Sequence, residues 1–108
     1  MITKNFLEII GKIDKKVAKY YWENPTKEEL ILKKFAKLTE EVWELSSEIL
    51  AGFWAQRRPK TESHSKEALE LEFADVVLTT LLLSKTMNVD INVALEKKLE
   101  KLKERGLL

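Results

Sequence analysis

The chain has no cysteine, one histidine, three glycines and two prolines in 108 residues. Without cysteine there are no disulfides and no thiolate metal sites. A lone histidine argues against zinc, whose sites draw on cysteine and histidine. Scarce glycine and proline mean few turns, which favours helices. No apolar run approaches the roughly 18 residues that span a bilayer. The opening Met1-Ile2-Thr3-Lys4 leads into amphipathic sequence, which is not the pattern of a secretory signal. Lys and Arg number 19 against 18 Asp and Glu, so no excess charge calls for nucleic acid or an acidic membrane surface. The expectation is one cytoplasmic domain over residues 1–108, near the modal domain size.

What is present is helical periodicity. Phe6, Ile9, Ile10, Ile13, Val17, Tyr20 and Tyr21 recur at steps of three and four, which predicts a helix from about Thr3 to Trp22. Asn24-Pro25 breaks it. Thr26 and Glu29 form a capping-box pattern, and Ile31, Phe35, Leu38, Val42, Leu45 and Ile49 then describe a heptad-like seam. This second helix is predicted to reach about Ala55. Residues 56–65 have no period and contain Pro59, so they read as a loop. A third helix is predicted over about Lys66–Met87, apolar from Val76 to Leu83 except for Thr79 and Thr80. A helix apolar nearly all round is expected to be buried on most sides. Asp90 is the expected N-cap of a fourth helix carrying Ile91, Ala94, Leu95, Leu99 and Leu102, and Gly106 ends it. The fold class is all-α: an antiparallel bundle of four to five helices. The third helix has more apolar surface than its neighbours can cover, so a homodimer or homotetramer is expected to complete the bundle.

Two acidic patterns lie on this frame: Glu40-Glu41-Val42-Trp43-Glu44 on the second helix and Glu72-Phe73-Ala74-Asp75 on the third. Carboxylates three residues apart share a helix face. Glu41 lies about 40° from Leu45 around the helix axis, so it borders the seam, with Glu44 and Glu48 near the same line. Neither Glu72 nor Asp75 has a Lys or Arg four residues later. Acids clustered beside a core without a counter-charge repel and raise one another's pKa, and a divalent cation relieves both effects. Oxygen-only ligands select Mg²⁺ first and Mn²⁺ second. A di-iron carboxylate site would need Glu-x-x-His, and His64 has Thr61 three positions before it.

With these motifs in order, the sequence resembles the MazG-like all-α nucleoside triphosphate pyrophosphohydrolases. The resemblance covers Phe35 to Arg105. It takes in Glu40-Glu41-x-x-Glu44, Glu72-x-x-Asp75 leading into Val76-Val77-Leu78, then Val89-Asp90-Ile91, Ala94, Lys98 and Arg105. It implies that Glu41, Glu44, Glu72 and Asp75 hold Mg²⁺, with Glu40 at the edge. It also implies cleavage of a nucleoside triphosphate between its α- and β-phosphates, giving the monophosphate and pyrophosphate, in a dimer or tetramer. The biological role would be sanitation of the nucleotide pool. Glu41 or Glu44 would take the proton from the attacking water, and Lys98 and Arg105 would bind phosphate.

Two positions depart from the family pattern. Leu102 stands where members commonly have asparagine, and Trp43 stands where many have glycine or another small residue. By helical angle Trp43 points away from the acidic line, toward another helix or subunit. Thr79 replaces the histidine usual in the phosphoribosyl-ATP branch, which ranks that branch lower. Trp22, Phe53 and Trp54 are candidates for stacking on a base. Arg57, with Arg58 and Lys60, is a candidate to meet the triphosphate. His64 is assigned no role. The alternative from a different class is a non-catalytic helical module for oligomerisation or nucleotide binding, its acids serving only solubility.

Overall fold

The computed structural model describes residues 1–21, 24–54 and 65–108. They form four helices and no strand: α1 (Lys4–Tyr21), α2 (Lys27–Trp54), α3 (Lys66–Thr86) and α4 (Ile91–Glu104). Trp22, Arg57, Arg58, Lys60 and His64 lie outside the described residues, and so does the side chain of Trp54.

The helix ends follow local chemistry. The Thr26 hydroxyl accepts from the Glu29 amide at 3.2 Å, and the Ser65 hydroxyl accepts from that of Ala68 at 3.0 Å. Each satisfies an amide that the first helical turn leaves without a partner. Asp90 does the same for Asn92 and Val93. α3 closes with the Val89 amide donating to the Ser84 carbonyl and that of Asn88 donating to Lys85. This stop needs a left-handed residue, and Asn88 supplies it at φ 56°. Gly106, at φ 74°, ends α4 in the same way.

α2 and α3 pair along their length. They run antiparallel: Lys34 meets Thr86 at one end, while Glu41 meets Glu72 and Asp75 further along. α1 crosses the end of α3, with the buried Gly11 under Lys85. A Cβ at position 11 would lie 2.6 Å from the Lys85 ammonium. α4 packs on neither α2 nor α3 to any extent among the described residues. Its start is clasped to the chain's beginning, where Asn92 both accepts from the Ile2 amide and donates to its carbonyl, at 3.1 and 2.9 Å.

This arrangement differs from the expected burial in two respects. Only Ile10 and Leu81 are fully buried apolar residues among those described, and Leu71, Phe73 and Val77 on α3 are each more than half exposed. Among the described residues α3 is therefore not enclosed: α2 pairs with it and α1 meets it less extensively. Second, the seam of α2 is rotated. Leu38 and Leu45 turn partly inward, but their inward flank is Lys34, Glu41 and Glu48, while Phe35, Val42 and Ile49 face out. The radius of gyration is 17.2 Å, against about 13 Å for a compact chain of this length. No helix among the described residues is long and apolar enough to cross a membrane.

Candidate metal centre

Glu41, Glu72 and Asp75 each place a carboxylate oxygen within 4.8 Å of the others. Glu41 comes from the middle of α2; Glu72 and Asp75, one turn apart, come from the first half of α3. Leu38 and Leu45, a turn on either side of Glu41, pack inward and draw its side chain between the helices. Glu41 is 6% exposed. One of its oxygens, Oε1, is paired with Lys37 at 3.1 Å. The other, Oε2, is buried without a hydrogen-bond partner, as is Oε2 of Glu72. An unpartnered buried carboxylate oxygen is costly, and proteins keep few of them without a purpose.

The electrostatics agree with the geometry. The pKa of Glu72 is raised from its ordinary value, first by desolvation and then by the charges of Asp75, Glu41 and Glu48. That of Glu44 is raised as well, chiefly by the charge of Glu41, then by desolvation and by Glu72 and Glu40. Lys37 is pushed up by its hydrogen bond to Glu41, against the opposing effect of burial, and further by the charges of Glu41 and Glu40. Lys37 corrects the expectation of an acid cluster with no counter-charge: a lysine four residues before Glu41 answers one of the acids.

The donor set suits a hard divalent cation. It is all oxygen and converges from two helices, with the three oxygens within 4.8 Å of one another, close enough for small side-chain shifts to bring them onto one ion. The two buried orphan oxygens are what such an ion would satisfy. Glu44 is exposed and lies outside the close trio, though Glu41 and Glu72 both act on it. Lys98 and Arg105 are exposed, on α4 and at its C-cap, and are not among the charges acting on Glu44 or Glu72. Phe53 is 76% exposed and Trp43 72% exposed, so neither packs inside the protomer.

A cavity of about 640 Å³ adjoins the acids on the side of α1, lined by Asp14, Val17, Lys34, Lys37, Glu40, Thr79 and Leu82, among others. At its back the Lys34 ammonium donates to both the Asp14 carboxylate and the Thr86 hydroxyl, joining three helices. The sequence reading passed over this network and Lys37. The available signal was spacing: Lys34, Lys37 and Glu41 stand three and four residues apart, on one stripe.

The profile of the MazG nucleotide pyrophosphohydrolase domain matches residues 29–106. The chain belongs to that family. The match spans α2, α3 and α4 and includes both acidic patterns, while α1 lies before it. No curated protein and no solved structure is matched by the chain. Membership makes nucleotide pyrophosphohydrolysis, a hydrolase activity that generally depends on metal, the family-level function of this fold.

Proposed function

We propose that the protein hydrolyses a nucleoside triphosphate between the α- and β-phosphates, releasing the monophosphate and pyrophosphate, with Mg²⁺ or Mn²⁺ as its cofactor. The observation that carries this reading is the buried, unpartnered Oε2 of Glu41 within an all-oxygen trio spanning two helices. Glu41, Glu72 and Asp75 would hold the ion, with Glu44 at its edge. When bound, the ion neutralises phosphate charge and makes phosphorus more open to attack. Glu44 is the better placed of the two candidate bases. It is solvent-facing and outside the trio, and its neighbours raise its proton affinity, the direction that makes a carboxylate a stronger base. Lys98 and Arg105 are the proposed phosphate ligands on α4, and Trp22 and Arg57 are proposed substrate contacts.

The active form in this reading is a cytoplasmic homodimer or homotetramer that clears unwanted nucleotides. The exposed Phe35, Val42, Leu71, Phe73 and Val77 support assembly, because this much apolar surface on one protomer marks an interface.

A panel of ribo- and deoxyribonucleoside triphosphates, assayed for pyrophosphate release with Mg²⁺, tests the proposal. At least one should be cleaved, and Glu41→Gln or Asp75→Asn should cut the rate by about 100-fold or more. Mg²⁺ at 100 times its Kd should stabilise the wild type by about 2.7 kcal/mol, and neither variant to that extent. A panel without turnover, together with a melting temperature indifferent to Mg²⁺, would leave a non-catalytic helical module instead.

A further inference from the structure

Lys37 stands where the acid trio meets the neighbouring cavity. Its ammonium lies 3.1 Å from Glu41 Oε1 and 3.5 Å from Glu40 Oε2. The same side chain lines the cavity, together with Asp14, Val17 and Thr79. A divalent ion on the Glu41 carboxylate would place a second, stronger cation against a group that already holds one. An ion on the unpartnered Oε2 would repel the ammonium on Oε1 and draw carboxylate charge away from it, which loosens the Lys37 pair. Lys37 is the partner free to move: its side chain is 55% exposed against 8% for Glu41, so its long stem can swing the ammonium to another oxygen while the buried carboxylate stays in place. Lys34, one turn back, cannot take its place, because Asp14 and Thr86 already hold its ammonium.

We propose that Lys37 is the counter-cation of Glu41, which gives up that carboxylate when the divalent ion enters and re-forms its ion pair on a phosphate oxygen of the substrate. The proposal rests on the pyrophosphohydrolase reading and adds to it a phosphate ligand on α2. The helical rise puts Glu41 and Lys34 about 10 Å apart along α2, and the cavity is lined by that same stretch of the helix, from Lys33 to Glu40. Phosphates at the acids would thus leave the nucleoside in the cavity, with Lys37 at the junction. In this position Lys37 is a competitor of metal and a ligand of phosphate at once, so its removal should affect the two in opposite directions.

The test uses the whole chain with Mn²⁺ alone, then with Mn²⁺ plus inorganic tripolyphosphate, both by calorimetric titration. Lys37→Gln should bind Mn²⁺ several-fold more tightly than wild type and tripolyphosphate about tenfold more weakly. Lys37→Arg, which keeps the charge, should restore tripolyphosphate binding to near the wild-type value. Unchanged or weakened Mn²⁺ binding in Lys37→Gln would overturn the proposal, and so would unchanged tripolyphosphate binding. A wild-type protein that binds no Mn²⁺ would overturn the metal reading itself, and this proposal with it. The melting temperature of each variant without metal checks that the fold is intact.

Discussion

On one flank of Leu38 and Leu45, α2 carries Lys34, Glu41 and Glu48; on the other it carries Phe35, Val42 and Ile49. Ordinary partition between water and apolar surroundings would bury the second set and expose the first. The protomer does the opposite: Lys34 and Glu41 are 7% and 6% exposed, Phe35 and Val42 60% and 48%. Each inversion has its own reason. The inward charges have partners: Lys34 has Asp14 and Thr86, Glu41 has Lys37, and oxygens of Glu41, Glu72 and Asp75 gather within 4.8 Å of one another. The outward apolar residues stay exposed among the described residues, and the proposed assembly with another copy would cover them. In the proposed reading, one helix serves a metal site on one side and a subunit interface on the other.

The largest effect that would break this comparison is on the outward flank. Phe35→Glu with Val42→Lys removes two side chains worth about 1.5–3 kcal/mol each on burial. The assembly should weaken by about two to four orders of magnitude, read by sedimentation over a concentration series. A wild type that sediments as a 12.6 kDa monomer at all concentrations would remove the interface from the argument.

Next in size is the inward flank. Lys34→Ala strands the Asp14 carboxylate and should cost about 3 kcal/mol in chemical denaturation, whereas Lys34→Met with Asp14→Leu should recover most of it. If the double replacement is no better than the single, the network is held by something beyond the ion pair.

The smallest effect is in pH dependence. Glu44 and Glu72 have raised pKa values in the folded protein, so the fold binds their protons more tightly than the unfolded chain does. Without metal, stability should therefore fall as pH rises from the ordinary carboxylate range through the raised values, and stay lower above them. With saturating Mg²⁺ the slope should reverse, since the ion needs those carboxylates ionised. Melting temperatures across pH 4 to 8, with Mg²⁺ and with chelator, would show both signs; a shared slope would deny that Glu44 and Glu72 face the ion.

Much of the fold was legible in the residues. Thr26, Ser65 and Asp90 are hydroxyl or carboxylate caps, and Asn88 and Gly106 tolerate the left-handed stop. The four helix boundaries accordingly fall within a residue or two of those read from periodicity. The acidic patterns were legible as shared faces for the same reason, three-residue spacing. The heptad seam was misleading: hydrophobicity pointed to Phe35, Val42 and Ile49 as the inward flank, but charges that find partners, or await an ion, can take that place. Lys37 and Lys34 looked like two of many surface lysines until α1 and α3 were set against them.

Local propensity, caps and turn chemistry act over a few residues, so the sequence alone determined four helices, their limits and which acids share a face. Which face of α2 turns toward α3, which lysine guards Glu41 and where the cavity opens depend on packing between segments far apart in the chain. Those were decided only by the tertiary structure, because burial and electrostatic partnership are properties of the assembled neighbourhood.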